Sequence, residues 1–451
     1  MRTRDLLPLF LLSVPLAAQA SWSMLYPSVV PPTRYNAVMA CHEATASLLM
    51  LFGQNDVGQI ADCWRLDGAT WSPVAGPLPP VRTLSAMVYD SVRERLVLFG
   101  GSAPGSILQN DTWEWDGATW TDRSPVPSPP ARHSHMMAFD RGRGVTVLYG
   151  GYLSSGTPAA ADLWEWDGVA WVQRTFSGGP GPRRSGVMAF DPVRFEVLLH
   201  AGSSTNSLVR NDTWTWNGTA WQQQFPLTPP PYRSNAAIAS DWHRARIVLQ
   251  GGGGSDPFAW EWDGSEWRML LMASPSPRRN HVMAYDAPRR RVVLWGGDQV
   301  GVSAALDDTW AYKTPLPADA VPFGAGCAGS NGTPTLAPAP YRLPWLGDTF
   351  TTRVDALPVG GIGAVIVSSV GTTPPIDLTP VGMPGCDLLV PLDILEWAPA
   401  VGSVAEWSYS APLSMSLAGV VWRQQGFPLD PAASAFGLSA SNAIVATFGV
   451  R

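Results

Sequence analysis

Six copies of one pattern run through the chain: Pro-x-Arg, an apolar strand ending in Asp, a second apolar strand ending in Gly-Gly, then Trp-x-Trp-Asp-Gly-x-x-Trp. The anchoring arginines are Arg34, Arg82, Arg132, Arg183, Arg233 and Arg278, spaced 45 to 51 residues apart. A unit of this length cannot bury both of its apolar faces alone, but copies arranged radially can. The spacing predicts an all-β fold: a six-bladed β-propeller over residues 21–315, one four-stranded sheet per copy.

The third copy shows the grammar. Ser134–Asp140 and Val145–Gly151 are short, nearly continuous apolar runs, as expected of strands covered on both faces. Between them Asp140-x-x-Arg143 marks a tight turn, because an Asp side chain can accept from backbone N–H groups two and three residues on. The third strand, Asp-x-Trp-x-Trp, places two indoles on one face toward a neighbouring blade. Asp-Gly then turns the chain into a fourth strand that opens with Trp. Fifteen of the 22 tryptophans fall in these motifs, which makes them structural by repetition.

The sixth copy stops at Trp310-Ala-Tyr312, without a fourth strand. Trp22 stands 12 residues before Arg34, and elsewhere fourth-strand tryptophans precede an anchor by 11 or 12. The segment after residue 20 is therefore expected to supply the outer strand of the last blade and close the ring.

Residues 1–20 read as a secretory leader. Arg2 and Arg4 precede an apolar stretch from Leu6 to Ala17, and Ala18-Gln19-Ala20 is a small-x-small cleavage site. The stretch is too short to span a bilayer, and no later segment is long and apolar enough. A secreted, periplasmic or envelope location and a monomer are expected. A net charge of -6 argues against nucleic acid as a partner. Lys313 is the single lysine, a skew that points to a GC-rich bacterial genome rather than a basic patch.

After the repeats, residues 316–335 read as a linker and 336–451 as a small β-sandwich-like domain of short strands between Pro and Gly turns. Cys327 and Cys386 are the candidate disulfide, since export permits one. Cys41 and Cys63 fall on a first and a third strand, too far apart for a bridge, and are expected as buried thiols.

The diglycines followed by spaced aromatics resemble the kelch repeat, most clearly at Gly100-Gly101, Gly150-Gly151, Gly251-Gly252 and Gly296-Gly297, with Arg132-x-x-His135 and Arg278-x-x-His281 alongside. Gly53-Gln54 and Ala201-Gly202 depart from it. The resemblance implies a propeller, and the family spans adaptors, oxidases, epimerases and adhesins. The tail resembles C-terminal β-domains of exported planctomycete proteins through its Phe323-Gly-x-Gly-Cys327 entry and Phe448-Gly449 ending, which implies attachment or packing rather than catalysis.

The anchors, the loops after Gly-Gly and the Pro-rich links share one face, and the Asp-x-x-Arg and Asp-Gly turns share the other. Arg34, Arg82, Arg132, Arg183, Arg233 and Arg278 around a central mouth are therefore the candidate ligand-binding residues, since guanidinium forks suit carboxylates, sulfates and acidic peptides. The alternative is that each pairs with backbone carbonyls or with an Asp of an adjacent blade. His133-Ser-His135 offers two imidazoles, too few for a metal site. No nucleophile elbow, phosphate loop or carboxylate pair stands out, so no catalytic residue, metal or cofactor is assigned. The expected function is an exported, non-enzymatic binding or scaffold protein for a protein or polysaccharide. The alternative is an epimerase- or oxidase-like carbohydrate-active propeller enzyme with its site at the same mouth.

Overall fold

The computed structural model describes residues 20–448, apart from 155–157, 205–207, 254–255, 272–273, 303, 315–318, 340–342, 346–348, 372–373, 382, 384–385, 412–416 and 435–437. The leader reading, residues 1–20, lies outside the described residues except for Ala20. Two compact units divide the chain after Lys313.

The first unit, Ser21–Lys313, holds six antiparallel four-stranded sheets. Their inner strands are Val38–His42, Ala86–Asp90, Met136–Asp140, Val187–Asp191, Ala237–Asp241 and Val282–Asp286, blades 1 to 6 in order. Each inner strand lies against those of its two neighbours, and the sixth lies against the first. Ser21–Leu25 pairs with Thr309–Lys313, with Trp22 opposite Tyr312. Ring closure is therefore as expected.

Seams between blades form the core. Second strands sit deepest: Leu48, Met50, Leu98, Leu148, Leu199, Leu249 and Leu294 have no exposed surface. Indole N–H groups tie the blades together. Second-position indoles cross a seam: Trp166 Nε1 donates to Glu114 (3.0 Å) and Trp216 Nε1 to Glu165 (3.0 Å), each a carboxylate of the preceding blade. Tyr312 continues the series with its hydroxyl on Glu261 (2.9 Å). Fourth-strand indoles do likewise, Trp171 Nε1 donating to Thr112 at 2.9 Å and Trp267 Nε1 to Thr213 at 3.0 Å.

On the turn face, Asp140 Oδ1 accepts from the N–H groups of Gly142 and Arg143, both at 3.0 Å, while Oδ2 accepts from Arg143 Nε at 2.8 Å. Arg143 also reaches Glu165, so turn, third strand and the next blade's Trp216 form one chain of charge-assisted bonds. In the first blade, which lacks this Asp, His42 Nδ1 takes over and accepts from Thr45 N at 3.2 Å. Burial lowers the His42 pKa, which keeps the imidazole neutral for that duty.

Cys41 and Cys63 are buried and unpaired, as expected from their separation across the sheet. Burial pushes both thiols up to about 12, so neither is a nucleophile at neutral pH.

The second unit is one eight-stranded sheet rather than two facing layers. Its order is Asp319–Phe323, Ala443–Thr447, Val421–Pro428, Gly363–Ser369, Ile394–Val401, Val404–Ser410, Thr349–Val354 and Leu336–Pro338. The two end strands approach each other, so the sheet curls into a nearly closed barrel around Phe350, Val354, Ile366, Trp407 and Ile444. The stretch 316–335, read as a linker, contributes its first strand, because Asp319–Phe323 finds backbone partners on Ala443–Thr447. Cys327 and Cys386 are disulfide-bonded, with Cα atoms 5.0 Å apart. The bridge closes a loop with a sequence separation of 59, for which chain entropy gives about 4 kcal/mol. Cys327→Ala/Cys386→Ala is expected to lower the melting temperature of this unit by about ten degrees or more and leave that of the propeller unchanged, read by calorimetry.

Candidate functional site

The six anchors do not face solvent. Five have no exposed surface and Arg233 has 2%. Each guanidinium reaches an Asp of its own blade and the carbonyl of the first diglycine position. Arg132 shows the full set: Nη1 donates to Gly150 O (2.8 Å) and Asp162 Oδ1 (2.7 Å), Nη2 to Asp162 Oδ2 (2.7 Å), and Nε to Pro130 O (3.0 Å). Trp164 Nε1 also donates to Asp162 Oδ2 at 2.7 Å, which uses the Asp-x-Trp spacing. The same fork joins Arg34 to Asp62, Arg82 to Asp111, Arg183 to Asp212 and Arg278 to Asp308, while Arg233 reaches Asp256 through one nitrogen. The structural alternative therefore describes these arginines, with the Asp coming from the same blade rather than an adjacent one.

Burial pushes the Asp162 carboxyl up, but the Arg132 hydrogen bonds and charge and the Trp164 N–H outweigh it and hold the pKa below the ordinary value. Asp111, Asp212 and Asp308 are lowered by the same balance. Their stabilisation is complete above the unfolded carboxylate range and fades as pH falls through the depressed values. Acid unfolding of the propeller is thus expected below about pH 4, followed by tryptophan fluorescence.

The anchors' own carbonyls reach into the preceding blade. Gly101 N donates to Arg132 O at 2.8 Å and Gly151 N to Arg183 O at 2.9 Å. A Cβ on Gly150 would lie 2.4 Å from Arg183 O, and its φ of +68° is left-handed, so this position needs glycine. Phe52 and Ala201, where the diglycine is broken, hold the same conformation at φ 58° and 62°.

Two residues past each anchor stands another left-handed position: Asn36, Leu84, Ser134, Ser185, Asn235 and Asn280, with φ between 54° and 58°. Their amides form a closed belt around the axis. Leu84 N donates to Asn36 O, Ser134 N to Leu84 O, Ser185 N to Ser134 O, Asn235 N to Ser185 O, Asn280 N to Asn235 O and Asn36 N to Asn280 O. Inside this belt lies a cavity of about 130 Å³.

Between anchor and belt sits one residue per blade that varies: Tyr35, Thr83, His133, Arg184, Ser234 and Arg279. All but Thr83 keep part of their surface exposed. Most form isolated bridges to the residue after the second glycine position: Tyr35 with Gln54, Thr83 with Ser102, His133 with Tyr152, Arg184 with Ser203. Arg279 pairs with Asp298 in a short ladder. Six identical backbone sites thus carry hydroxyl, imidazole, guanidinium and phenol groups around one mouth. The His133 site is the most developed of them: its bridge partner Tyr152 has the His133 ring 5.0 Å away and the Arg184 guanidinium over its face at 5.1 Å. Burial lowers the His133 pKa, so the ring is neutral at pH 7.

The two histidines of His133-Ser-His135 do not converge. Ser134 is left-handed between them, and His135 turns into the seam against Phe99 with its pKa lowered to about 3 by burial. Among the described residues no group of three His, Cys, Asp or Glu side chains could hold a metal.

Blade 5 breaks the pattern on the same face. Its Asp256 stands four residues before Trp260 rather than two, and Pro257 and Phe258 fill the gap. A cavity of about 520 Å³ opens beside Arg233, walled by Tyr232, Phe258, Trp260 and Met269. Tyr232 is 64% exposed, so its ring is presented to solvent. The missed signal was positional: within six aligned copies, the residue after the constant Arg is the one that varies.

Among the described residues no helix is long and apolar enough to cross a membrane. No family model matches the chain. Over 182 residues it is 29% identical to Adagio-like protein 1 of Oryza sativa subsp. japonica, a match taking in 37% of this chain and 28% of that protein. Over 151 residues it is 28% identical to Putative adagio-like protein 2 of the same organism, covering 31% and 23%. The matched region spans about a quarter of the length of these relatives. The solved structure of YjhT superposes with a TM-score of 0.48 at 13% identity, covering 63% of this chain and 95% of that one. The chain folds as a six-bladed β-propeller with a second all-β unit.

Proposed function

We propose that this chain is an exported, non-enzymatic recognition protein that holds a polysaccharide across the anchor face of the propeller. The observation that carries it is the rim itself, where one repeated scaffold presents five kinds of side chain at six positions in a circle. Tyr152, His133 and Arg184 supply an aromatic face and neutral and charged hydrogen-bonding groups, and Tyr232 with the neighbouring cavity adds a second stacking surface. Aromatic faces with polar neighbours suit flat sugar rings that carry hydroxyls at their edges. The anchors build the scaffold and leave recognition to their neighbours. Export is supported by the leader pattern at residues 1–20 and by the Cys327–Cys386 bridge, which an oxidising compartment preserves.

The test is a glycan array and a peptide array probed with the full mature chain, then with His133→Ala/Tyr152→Ala/Arg184→Ala. The expected result is glycan hits whose affinity falls about tenfold or more in the variant, with an unchanged unfolding midpoint. Hits confined to peptides would replace the polysaccharide with a protein partner. Turnover of a bound glycan would replace the binding reading with the enzyme reading.

A further inference from the structure

On the opposite face, the residue that opens the first turn of each blade is Glu43, Ser91, Arg141, Pro192, Trp242 and Ala287 in order. Large residues alternate with small ones. The three large ones, from blades 1, 3 and 5, meet over the axis: Arg141 pairs with Glu43, and its guanidinium lies 4.7 Å from the Trp242 ring centroid. Trp242 stacks on His243 at 3.8 Å, and His243 Nδ1 is 2.7 Å from the Tyr285 hydroxyl. Nothing in the fold requires this cluster, since the neighbouring blades turn with Ser, Pro and Ala.

Beneath the cluster is a cavity of about 190 Å³ walled by all six inner strands. Equivalent positions supply Met39, Met87, Met137, Met188, Ile238 and Met283, an apolar and adaptable ring. Glu43 and Arg141 are the charged residues lining it, and both stand at its entrance. A dry apolar cavity of about 150 Å³ is large enough for benzene, so this one has room for a single ring and a small substituent. Arg141 has five N–H donors. Among the described residues its guanidinium makes a hydrogen bond to Glu43 alone, and its side chain keeps 18% of its surface exposed.

We propose that this mouth binds a small carboxylic acid whose apolar body is about one six-membered ring in size. The body occupies the methionine-lined channel and the carboxylate forks onto Arg141, which the Trp242 face holds flat. Glu43 is the internal competitor: it occupies the guanidinium in the empty protein, and a ligand carboxylate binds by displacing it. Neutral analogues gain only the apolar contact. This site is independent of the rim on the anchor face.

The experiment titrates the full chain with benzoate, cyclohexanecarboxylate and the neutral isostere benzamide, followed by calorimetry and ligand-observed NMR. The expected result is carboxylate binding about tenfold tighter than benzamide, since a charge-assisted pair separates them. Arg141→Gln should erase that preference, and Glu43→Gln should tighten both acids several-fold while leaving benzamide unchanged. Rim variants such as Tyr152→Ala should have no effect here. Failure of both acids to bind, equal affinity for benzoate and benzamide, or binding insensitive to Arg141→Gln would each overturn the proposal.

Discussion

A chain lacking Ser21–Leu25 is expected to lose the closed propeller rather than a trimmed edge of it. The segment supplies five paired positions on Thr309–Lys313, and Trp22 is buried against Tyr312 with ring centroids 5.1 Å apart. Truncating a buried Trp alone costs about 3–5 kcal/mol, and the deletion also strips a ladder of backbone hydrogen bonds. It exposes the edge of Thr309–Lys313, an invitation to pair with another chain. The urea midpoint should fall sharply and sedimentation should show self-association. A synthetic peptide spanning 21–26, added in trans, should restore the midpoint in part by adding a strand to that edge. A deletion variant with an unchanged midpoint would mean that the ring does not depend on this seam.

Arg132→Ala is expected to cost about 3–5 kcal/mol, because it leaves the Asp162 carboxylate in a site built to hold a guanidinium. The Gly150 carbonyl also loses its donor at the same moment. Both effects fall on a pair whose arginine has no exposed surface. Arg132→Met/Asp162→Leu should recover much of the loss, since replacing both members of a buried pair with apolar groups removes the orphaned charge. Equilibrium denaturation of the two variants checks this. A double variant no more stable than the single one would place the cost in packing around Arg132 rather than in the unpaired Asp162.

The blade count, the closing segment and the unpaired propeller cysteines were legible because a repeat makes each copy evidence for the others. The role of the anchors was harder to see. Arg132 and Asp162 lie 30 residues apart, and nothing local links them. The clue was that Arg and Asp-x-Trp occur together in each copy, and blade 5 hides even that by moving its Asp to position 256. The rim residues were visible as the varying site beside a constant one. The Glu43, Arg141 and Trp242 cluster was not, because it joins alternate blades across the axis, a relation that only the ring geometry creates. In the second unit no repeat constrains pairing. Asp319–Phe323 finds its partner at Ala443–Thr447, at the other end of the unit, so the segment resembled a linker.

Adjacent residues carry opposite duties in this ring, and Arg183 and Arg184 put that to the test. Arg183 has no exposed surface and forks onto Asp212, whereas Arg184 is half-buried at the rim over Tyr152. Urea denaturation of Arg183→Ala and Arg184→Ala, measured side by side, should show a loss of several kcal/mol for the first and a change within about 0.5 kcal/mol for the second. Equal losses, or a larger loss at Arg184, would contradict the division between residues that build the ring and residues that read a ligand.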